Sequence, residues 1–454
     1  MATKALAQWA VNLTTMPSST RAAAVRSLYN YIGVAIGGSN HPAVRKAYLA
    51  LSPLFGRPTS SLLGAQDSFS NSSRADPEHA SLLNGIASHV HDFDDTHLAT
   101  IIHPTGPVAS AVLAWAEHQG RVSGDELLLV LVAGIEASCK LGLSVWPGHY
   151  DIGWHITSTT GAVGAAVGVG KLMGLTEVQM AHAIGLAAVQ VTGLREMFGS
   201  DTKSFHPGRA ASNGLLAALL ARGAYTSSSS ALEAKRGWAN VVAGGSTPRL
   251  DELVATLGEM WEIETNSFKP FPCGIVCHPA IDAAIQCHHE IANSHELCLS
   301  DIEALELLVH PLVVELTSKD TPRDGLEAKF SVFHGCAVGL LYGRAGPAEY
   351  ADDIVTSKEV ISIRNKVGIM ADTTLGADEV HLNMKLKNGV VLKKHILHAV
   401  GSLQAPMTDD QLTTKFLCEA SRVLGKDGAK RASNAAWKIG DLEDIAEALP
   451  LFKR

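Results

Sequence analysis

The sequence lacks the short motifs of several common enzyme classes. No HExxH, GxSxG or CxxC occurs, which argues against zinc-peptidase, α/β-hydrolase and thioredoxin-like chemistry. A P-loop is also absent, because Ala165 stands where its first glycine is required and Leu172 where Ser or Thr should follow the lysine. The glycines of 161–170 are therefore better explained by helices that pack closely.

Cysteine, charge and long apolar runs are also sparse. The seven cysteines are an odd number without a regular framework, which is typical of a reducing compartment. A net charge of −8 argues against a nucleic-acid binder, although an anionic substrate needs only a local positive field. The uncharged stretch 156–170 is shorter than the roughly 20 apolar residues of a membrane span. We expect a cytoplasmic protein away from membranes, and a mitochondrial presequence is the less favoured interpretation of the N-terminus.

The first 264 residues carry an overwhelmingly helical pattern. The segments 104–118, 127–145, 156–173 and 177–194 are apolar on nearly all faces. Helices of that kind are buried on most sides, as in the centre of a bundle. We therefore predict a large all-helical domain over 1–264.

The pattern changes after about residue 265. Pro311 disfavours a continuous helix across 302–316. Residues 379–396 alternate in polarity around Asn388-Gly389, which predicts a β-hairpin, and 328–342 is again helical. The sequence thus predicts a mainly α protein with a smaller α+β domain over 265–397, and residues 398–454 return to the first domain.

The most unusual chemistry lies between residues 89 and 103, where four histidines and three aspartates occur within fifteen residues. Neighbouring imidazoles and carboxylates can orient one another and tune a general acid or base. The same residue types also bind divalent cations, so a metal site is the alternative interpretation.

Three further islands precede or interrupt helical segments. His155 stands before 156–173, whose N-terminus could bind an anion. Cations at such a terminus suit a multiply charged anion, and another alanine-rich helical segment begins with Lys203, His206 and Arg209. At the predicted domain junction lie Lys269, Cys273, Cys277 and His278; because a second zinc-ligand pair is missing, we interpret the thiols as buried cysteines.

These islands resemble the MmgE/PrpD family, which includes 2-methylcitrate dehydratase, cis-aconitate decarboxylase and iminodisuccinate epimerase. The most specific pieces are DFDDTHLATIIHPTG (92–106), GWHITSTTGAVGAA (153–166), DTKSFHPGRAASNG (201–214) and FKPFPCGIVCHPAIDA (268–283). The resemblance implies a large helical domain closed by an α+β lid. It also implies a homodimer, a small polycarboxylate substrate, and neither a metal nor an organic cofactor.

The resemblance also implies a set of site residues. By similarity to the decarboxylase branch, His103 and His155 are acid/base candidates, Asp92 orients a neighbouring imidazole, and Lys203 and Lys269 hold carboxylates. Gly274 stands where animal members of that branch carry a histidine, and His278 is its candidate replacement. The catalytic set is His103, His155, Asp92 and Lys203, and the substrate-binding set is Thr96, Lys269, His278, His206 and Arg209.

The sequence leaves several functions open, and the enzymatic ones all transfer protons on a small polycarboxylate. The leading expectation is a cofactor-independent lyase that decarboxylates a cis-aconitate-like tricarboxylate. Dehydration of 2-methylcitrate and epimerisation of an iminodisuccinate are alternatives from the same family. A binding protein that kept the fold without catalysis is the alternative from a different class.

Overall fold

The computed structural model describes residues 1–65 and 73–453, and long helices dominate it. Twelve helices in this part of the chain have ten residues or more. They are α1 (Ala2–Asn12), α2 (Ser18–Gly38), α3 (Pro42–Leu51), α4 (Pro77–His89), α5 (Thr105–Gln119), α6 (Gly124–Val145), α7 (Ile156–Leu172), α8 (Glu177–Ala188), α9 (Asp201–Arg222), α10 (His278–Ala292), α11 (Val332–Tyr342) and α12 (Asp409–Lys438).

Shorter elements connect these helices. Single-turn or two-turn α-helices lie at Gly148–Asp151, Trp238–Val242, Leu250–Ala255, Pro311–Thr317, Gly325–Ala328, Asp352–Val355 and Lys358–Arg364. Turns of 3₁₀-helix lie at Ser52–Leu54, Arg195–Met197, Glu262–Thr265, Ile275–Cys277, Leu299–Asp301, Pro347–Tyr350, Ile439–Asp441, Ile445–Glu447 and Leu449–Phe452. The strands are β1 (Ser60–Ser61), β2 (Arg74–Ala75), β3 (Asp95–His97), β4 (Asn266–Phe268), β5 (Ile302–Val309), β6 (Val367–Ala371), β7 (Val380–Leu386) and β8 (Val391–Ile396).

The helical body surrounds the apolar helices α5, α6 and α7, whose residues are nearly all buried. A side chain in place of Gly164 of α7 would meet the backbone carbonyl of Gly134 in α6, at 2.6 Å. The glycines of 161–170 therefore serve close helix packing, as the sequence predicted. The C-terminal helix α12 returns to this body, and its Phe416 and Ala420 belong to the same core as Leu28 of α2.

A second hydrophobic core is built entirely from residues between 273 and 399. It lies against a mixed four-stranded sheet with the order β6-β5-β7-β8, in which β5 runs parallel to β6 and antiparallel to β7. The predicted hairpin is present as β7 and β8, and Gly389 in its turn has a φ of 88°. A separate pairing of β3 with β4 joins residues 95–97 to 266–268.

The mainly α prediction is confirmed, and no continuous helix spans 302–316: the segment divides into strand β5 and a short helix in which Pro311 occupies the first position, where its missing N–H costs nothing. One local prediction differs from the structure. The helix predicted over 177–194 ends at Ala188. Beyond it, Gly193 has a φ of 103°, and its carbonyl accepts a hydrogen bond from the His155 backbone N–H at 3.0 Å. The early helix end therefore lets this loop reach the start of α7.

One helix among the described residues, α6, is long and apolar enough to cross a membrane by length and composition. Its most apolar stretch is almost entirely buried in the protein, which is the usual situation of a core helix.

We predict that the crossing of α4 and α9 tolerates only glycine. A Cβ on Gly85 would lie 2.5 Å from the Gly208 Cα, and one on Gly208 would strike the Leu82 carbonyl oxygen. Because both obstacles are backbone, Gly208→Ala should lower the free energy of unfolding by about 1–3 kcal/mol in denaturant titrations. Gly368→Ala is the matched control, since its new Cβ meets only ordinary contact at 3.8 Å. Equal stability of the two variants would contradict the prediction.

Candidate active site

A buried carboxylate between two ammonium groups forms the centre of the candidate site. Asp92 Oδ1 lies 2.7 Å from Lys269 Nζ and 3.0 Å from Lys203 Nζ. Burial alone would raise the pKa of Asp92, but Lys203 and Lys269 hold it well below its ordinary value. The aspartate is therefore ionised, and the three groups together carry a single positive charge.

Three separate elements bring these groups together. Asp92 follows the C-terminus of α4 and adopts a left-handed backbone conformation, with a φ of 51°. Lys203 lies in the first turn of α9, and Lys269 follows strand β4. Since β4 pairs with β3, the loop that carries Asp92 is held beside Lys269.

Lys203 and Lys269 differ in how many of their N–H groups already have a hydrogen-bond partner. Lys269 Nζ also donates to the backbone carbonyls of Asp92 and Cys273, both at 3.2 Å, so all three of its N–H bonds have partners. Lys203 Nζ contacts Asp92 and otherwise lies over the rings of Phe198 and Phe330, at 5.2 and 5.4 Å from their centres. Lys203 is therefore the cation with donors left for an anionic ligand.

Asp94, rather than Asp92, orients the neighbouring imidazoles. Its carboxylate lies 2.8 Å from His89 Nδ1 and 3.4 Å from His103 Nδ1. Although burial opposes the shift, His103 and His89 keep the pKa of Asp94 well below its ordinary value. The orienting role expected for Asp92 is thus corrected: Asp92 is paired with two lysines, and the next aspartate along the chain, Asp94, takes that role. Two aspartates two residues apart in one loop gave no signal that would separate them.

His103 has a fixed tautomer. Its Nδ1 lies 2.7 Å from the backbone carbonyl oxygen of Asp95, which can only accept, so Nδ1 carries the proton. The Nε2 lone pair is then the part of the ring that can exchange a proton. Burial lowers the pKa of His103 to about 3, so the ring is neutral at pH 7. Thr96 Oγ1 lies 3.4 Å from His103 Nδ1.

His155 is held by a second histidine. The Nδ1 atoms of His155 and His206 lie 2.9 Å apart, which requires one ring to donate and the other to accept. Burial keeps the pKa of His155 well below its ordinary value and lowers that of His206 to about 4. His206 thus lies behind His155 and orients it, which differs from the expected direct contact with substrate.

These groups line one wall of a cavity with about 500 Å³ of empty space. Most of its apolar lining comes from residues 274–330, in the part of the chain that carries the four-stranded sheet and that we call the sheet-bearing part. The lining residues are Asp92, Thr96, Ile101, His103, Tyr150, His155, Phe198, Lys203, Lys269, Gly274, Ile275, Val276, Leu316, Thr317 and Phe330. Six of the polar lining residues were predicted from sequence, namely Asp92, Thr96, His103, His155, Lys203 and Lys269. Thr317, Tyr150 and the apolar side chains were missed, because such residues occur throughout any core.

Two residues that were predicted to bind substrate, Arg209 and His278, do not line this cavity. Arg209 lies further along α9 and donates to Ser212 Oγ at 3.4 Å. His278 is buried at the start of α10, edge-on to Phe271, and its Nε2 has no hydrogen-bond partner among the described residues. Gly274, four residues earlier, does line the cavity. In this structure, therefore, His278 does not fill the place of the histidine that Gly274 replaces.

The donor set does not favour a metal ion. One ligand atom each from His89, Asp92, Asp94 and His103 lies within 4.8 Å of the others, which is close enough to hold a cation. However, Asp92 already contacts two ammonium groups and Asp94 contacts two imidazoles. A divalent cation would have to displace or repel Lys203 and Lys269, so we derive no chemistry through a metal.

Comparison with known proteins identifies the family. The MmgE/PrpD N-terminal domain matches residues 4–251, and the MmgE/PrpD C-terminal domain matches residues 271–440. The chain is 26% identical to the cis-aconitate decarboxylase of Mus musculus over 94% of its own length and 88% of that protein. It is 25% identical to the cis-aconitate decarboxylase of Aspergillus terreus, over 99% and 95%.

A second group of relatives carries a different name. The 2-methylcitrate dehydratase of Escherichia coli (strain K12) is 25% identical over 67% of this chain and 64% of that protein. Both groups are lyases by name, and the two family domains together account for most of the chain. The protein therefore belongs to the MmgE/PrpD family, as the sequence motifs predicted.

Proposed function

We propose that the protein is a lyase that acts on a small tricarboxylate, and that its reaction is decarboxylation of a cis-aconitate-like acid. The decarboxylases of Mus musculus and Aspergillus terreus match 94% and 99% of the chain, against 67% for the dehydratase of Escherichia coli (strain K12), which supports this reaction over the others. The observation that carries the proposal is the fixed tautomer of His103, which leaves Nε2 as the nitrogen able to exchange a proton.

The chemistry needs one anion-binding group and one acid. The bond between a carboxylate carbon and the carbon skeleton breaks, carbon dioxide leaves, and the electron pair moves into the adjacent unsaturated carboxylate. Lys203 pairs with the carboxylate on which this charge accumulates, in a site where electrostatic stabilisation is strong because water is scarce. An imidazolium, His103 or His155, then gives its proton to carbon. A trianion and one proton thus become a dianion and carbon dioxide.

Dehydration of a 2-methylcitrate-like acid is the second candidate. The apolar wall formed by Ile275, Val276, Leu316 and Phe330 offers a place for a methyl group, and Gly274 leaves room beside it. In this reaction an imidazole removes a proton from carbon instead of supplying one, and an acid protonates the departing hydroxyl. The same residues serve both reactions, because each creates negative charge next to a carboxylate.

We further propose that the sheet-bearing part of the chain acts as a lid. Gly274, Leu316 and Phe330 belong to that part and line the same cavity as Asp92 and His155. Movement of that part would admit the substrate and then exclude water during proton transfer.

Proton NMR in deuterated water tests the function directly. The purified protein is incubated separately with cis-aconitate, 2-methylcitrate and iminodisuccinate. A five-carbon unsaturated diacid carrying solvent deuterium, with carbon dioxide release, supports decarboxylation. Loss of water from 2-methylcitrate would move the assignment to dehydration. Deuterium uptake without net conversion would indicate epimerisation, and no change in any acid would favour a binding protein.

We predict that His103→Gln and Lys203→Met each lower turnover by about a hundredfold or more, since each removes a group that acts in the transition state. Initial rates with the accepted acid measure the effect. His118→Gln and Lys171→Met are controls: His118 is exposed, and Lys171 bonds the carbonyls of Ala10 and Val11. Near-normal rates in both site variants would exclude this site.

We also predict that ligand binding takes up protons. With a pKa of about 3, His103 is neutral at pH 6.5 before an anion arrives. One charge pair at 4 Å is worth about 4 kcal/mol at an intermediate dielectric, or about three pKa units, so two nearby carboxylates suffice to protonate the ring. Calorimetric titration with tricarballylate should therefore give binding enthalpies that depend on the ionisation enthalpy of the buffer. His103→Gln should reduce that dependence, and equal enthalpies in all buffers with the unsubstituted protein would contradict the prediction.

A further inference from the structure

Three consecutive backbone carbonyls beside the candidate site each accept a hydrogen bond from a buried lysine. Lys329 Nζ donates to the His91 oxygen at 2.8 Å, and Lys269 Nζ to the Asp92 oxygen at 3.2 Å. Lys415 Nζ donates to the Phe93 oxygen at 2.7 Å. The loop 91–93 is thus held by side chains from three distant parts of the chain.

The same three ammonium groups also bind the segment 269–273. Lys415 Nζ donates to the Lys269 carbonyl at 2.8 Å, Lys329 Nζ to the Pro272 carbonyl at 3.0 Å, and Lys269 Nζ to the Cys273 carbonyl at 3.2 Å. Each lysine is therefore a bridge between the loop that carries Asp92 and the segment that carries its partner. We call Lys269, Lys329 and Lys415 the lysine bridges.

Burying these cations is costly, so simple packing does not explain them. Burial lowers the pKa of Lys329 to about 8 and that of Lys415 to about 7. Apolar side chains of similar size would fill the same space without this cost. Each ammonium also lies over a ring, Lys415 over Phe93 at 4.0 Å and Lys329 over Tyr350 at 5.1 Å. Apolar side chains, however, have no hydrogen-bond donor and could not hold two carbonyls at a fixed separation.

We propose that Lys329 and Lys415 are positioning residues, which fix the backbone of 91–93 so that Asp92 presents its carboxylate to Lys203. This inference rests on the proposed function only in so far as Asp92 and Lys203 serve catalysis. Neither lysine lines the cavity, so they act through the loop and not on the substrate. The left-handed backbone of Asp92, with a φ of 51°, is the unfavourable conformation that the bridges stabilise.

Hydrogen exchange read by mass spectrometry tests the proposal without any substrate. Lys329→Met and Lys415→Met are compared with Lys171→Met, which is matched because Lys171 Nζ also bridges two carbonyls, those of Ala10 and Val11, at 2.7 and 3.3 Å. Lys171 lies about 24 Å along α7 from His155, by the rise of an α-helix. The two bridge variants should exchange faster in peptides covering 90–97, and the control should not.

A double-mutant cycle with the accepted acid tests whether the bridges act through Asp92. Asp92→Asn and Lys415→Met should each lower turnover by about tenfold or more, but the double variant should be no more than about twofold slower than Asp92→Asn alone. Lys171→Met should leave turnover within about twofold in either background. Multiplied losses in the Asp92–Lys415 pair would overturn the positioning role.

The hydrogen-exchange and kinetic experiments distinguish a failure of the positioning role from a failure of the proposed function. Faster exchange at 90–97, with the melting temperature close to that of Lys171→Met, supports the bridges even if no acid is converted, in which case only the proposed function fails. Unchanged exchange at 90–97 in both bridge variants overturns the inference, whatever the enzyme catalyses. Faster exchange throughout the chain would show a general loss of stability and would also overturn it.

Discussion

The ion pair cluster of Asp92 with Lys203 and Lys269 is the interaction on which the candidate site depends. A buried carboxylate is tolerated only when it is paired, and removing one partner leaves an uncompensated charge that costs about 3–5 kcal/mol. Two cations against one anion leave a positive charge in a cavity enclosed by apolar residues. The end of α4, the start of α9 and the pairing of β3 with β4 all serve to bring these three groups together.

The buried histidines complete this arrangement because each has a defined hydrogen-bond partner. Asp94 orients His89, the Asp95 carbonyl fixes His103, and His206 holds His155. Burial holds the pKa of each of the three rings, His89, His103 and His155, below its ordinary value, so the rings are neutral at pH 7 before an anionic ligand binds. In the proposed reaction, a polycarboxylate would bring both the reacting carbon and the negative charge that makes an imidazolium favourable, so that substrate binding would itself activate the acid.

Most of the polar residues that line the cavity could be predicted from the sequence, whereas the groups that hold them in place could not. A dense run of histidine and aspartate stands out against the composition of the chain, so Asp92 and His103 could be found. His155 and Lys203 could be found because they lie in motifs that resemble the family. Their partners could not, because roles such as that of Asp94 depend on which atoms meet after folding. Lys415 illustrates the limit: it lies 322 residues from the carbonyl it binds, and no motif around it indicated a role at the site. Local signals sufficed for the hairpin at Gly389, whereas the end of α8 was set by a tertiary contact.

The most direct measurement is a crystal structure of the protein with tricarballylate, a saturated tricarboxylate that cannot undergo the reaction. The account predicts one ligand carboxylate on Lys203 Nζ, with Asp92 still paired to Lys269. It also predicts that Nε2 is the nitrogen of His103 that faces the ligand. A ligand bound outside this cavity, or one whose carboxylates avoid Lys203 while His103 presents Nδ1, would contradict it.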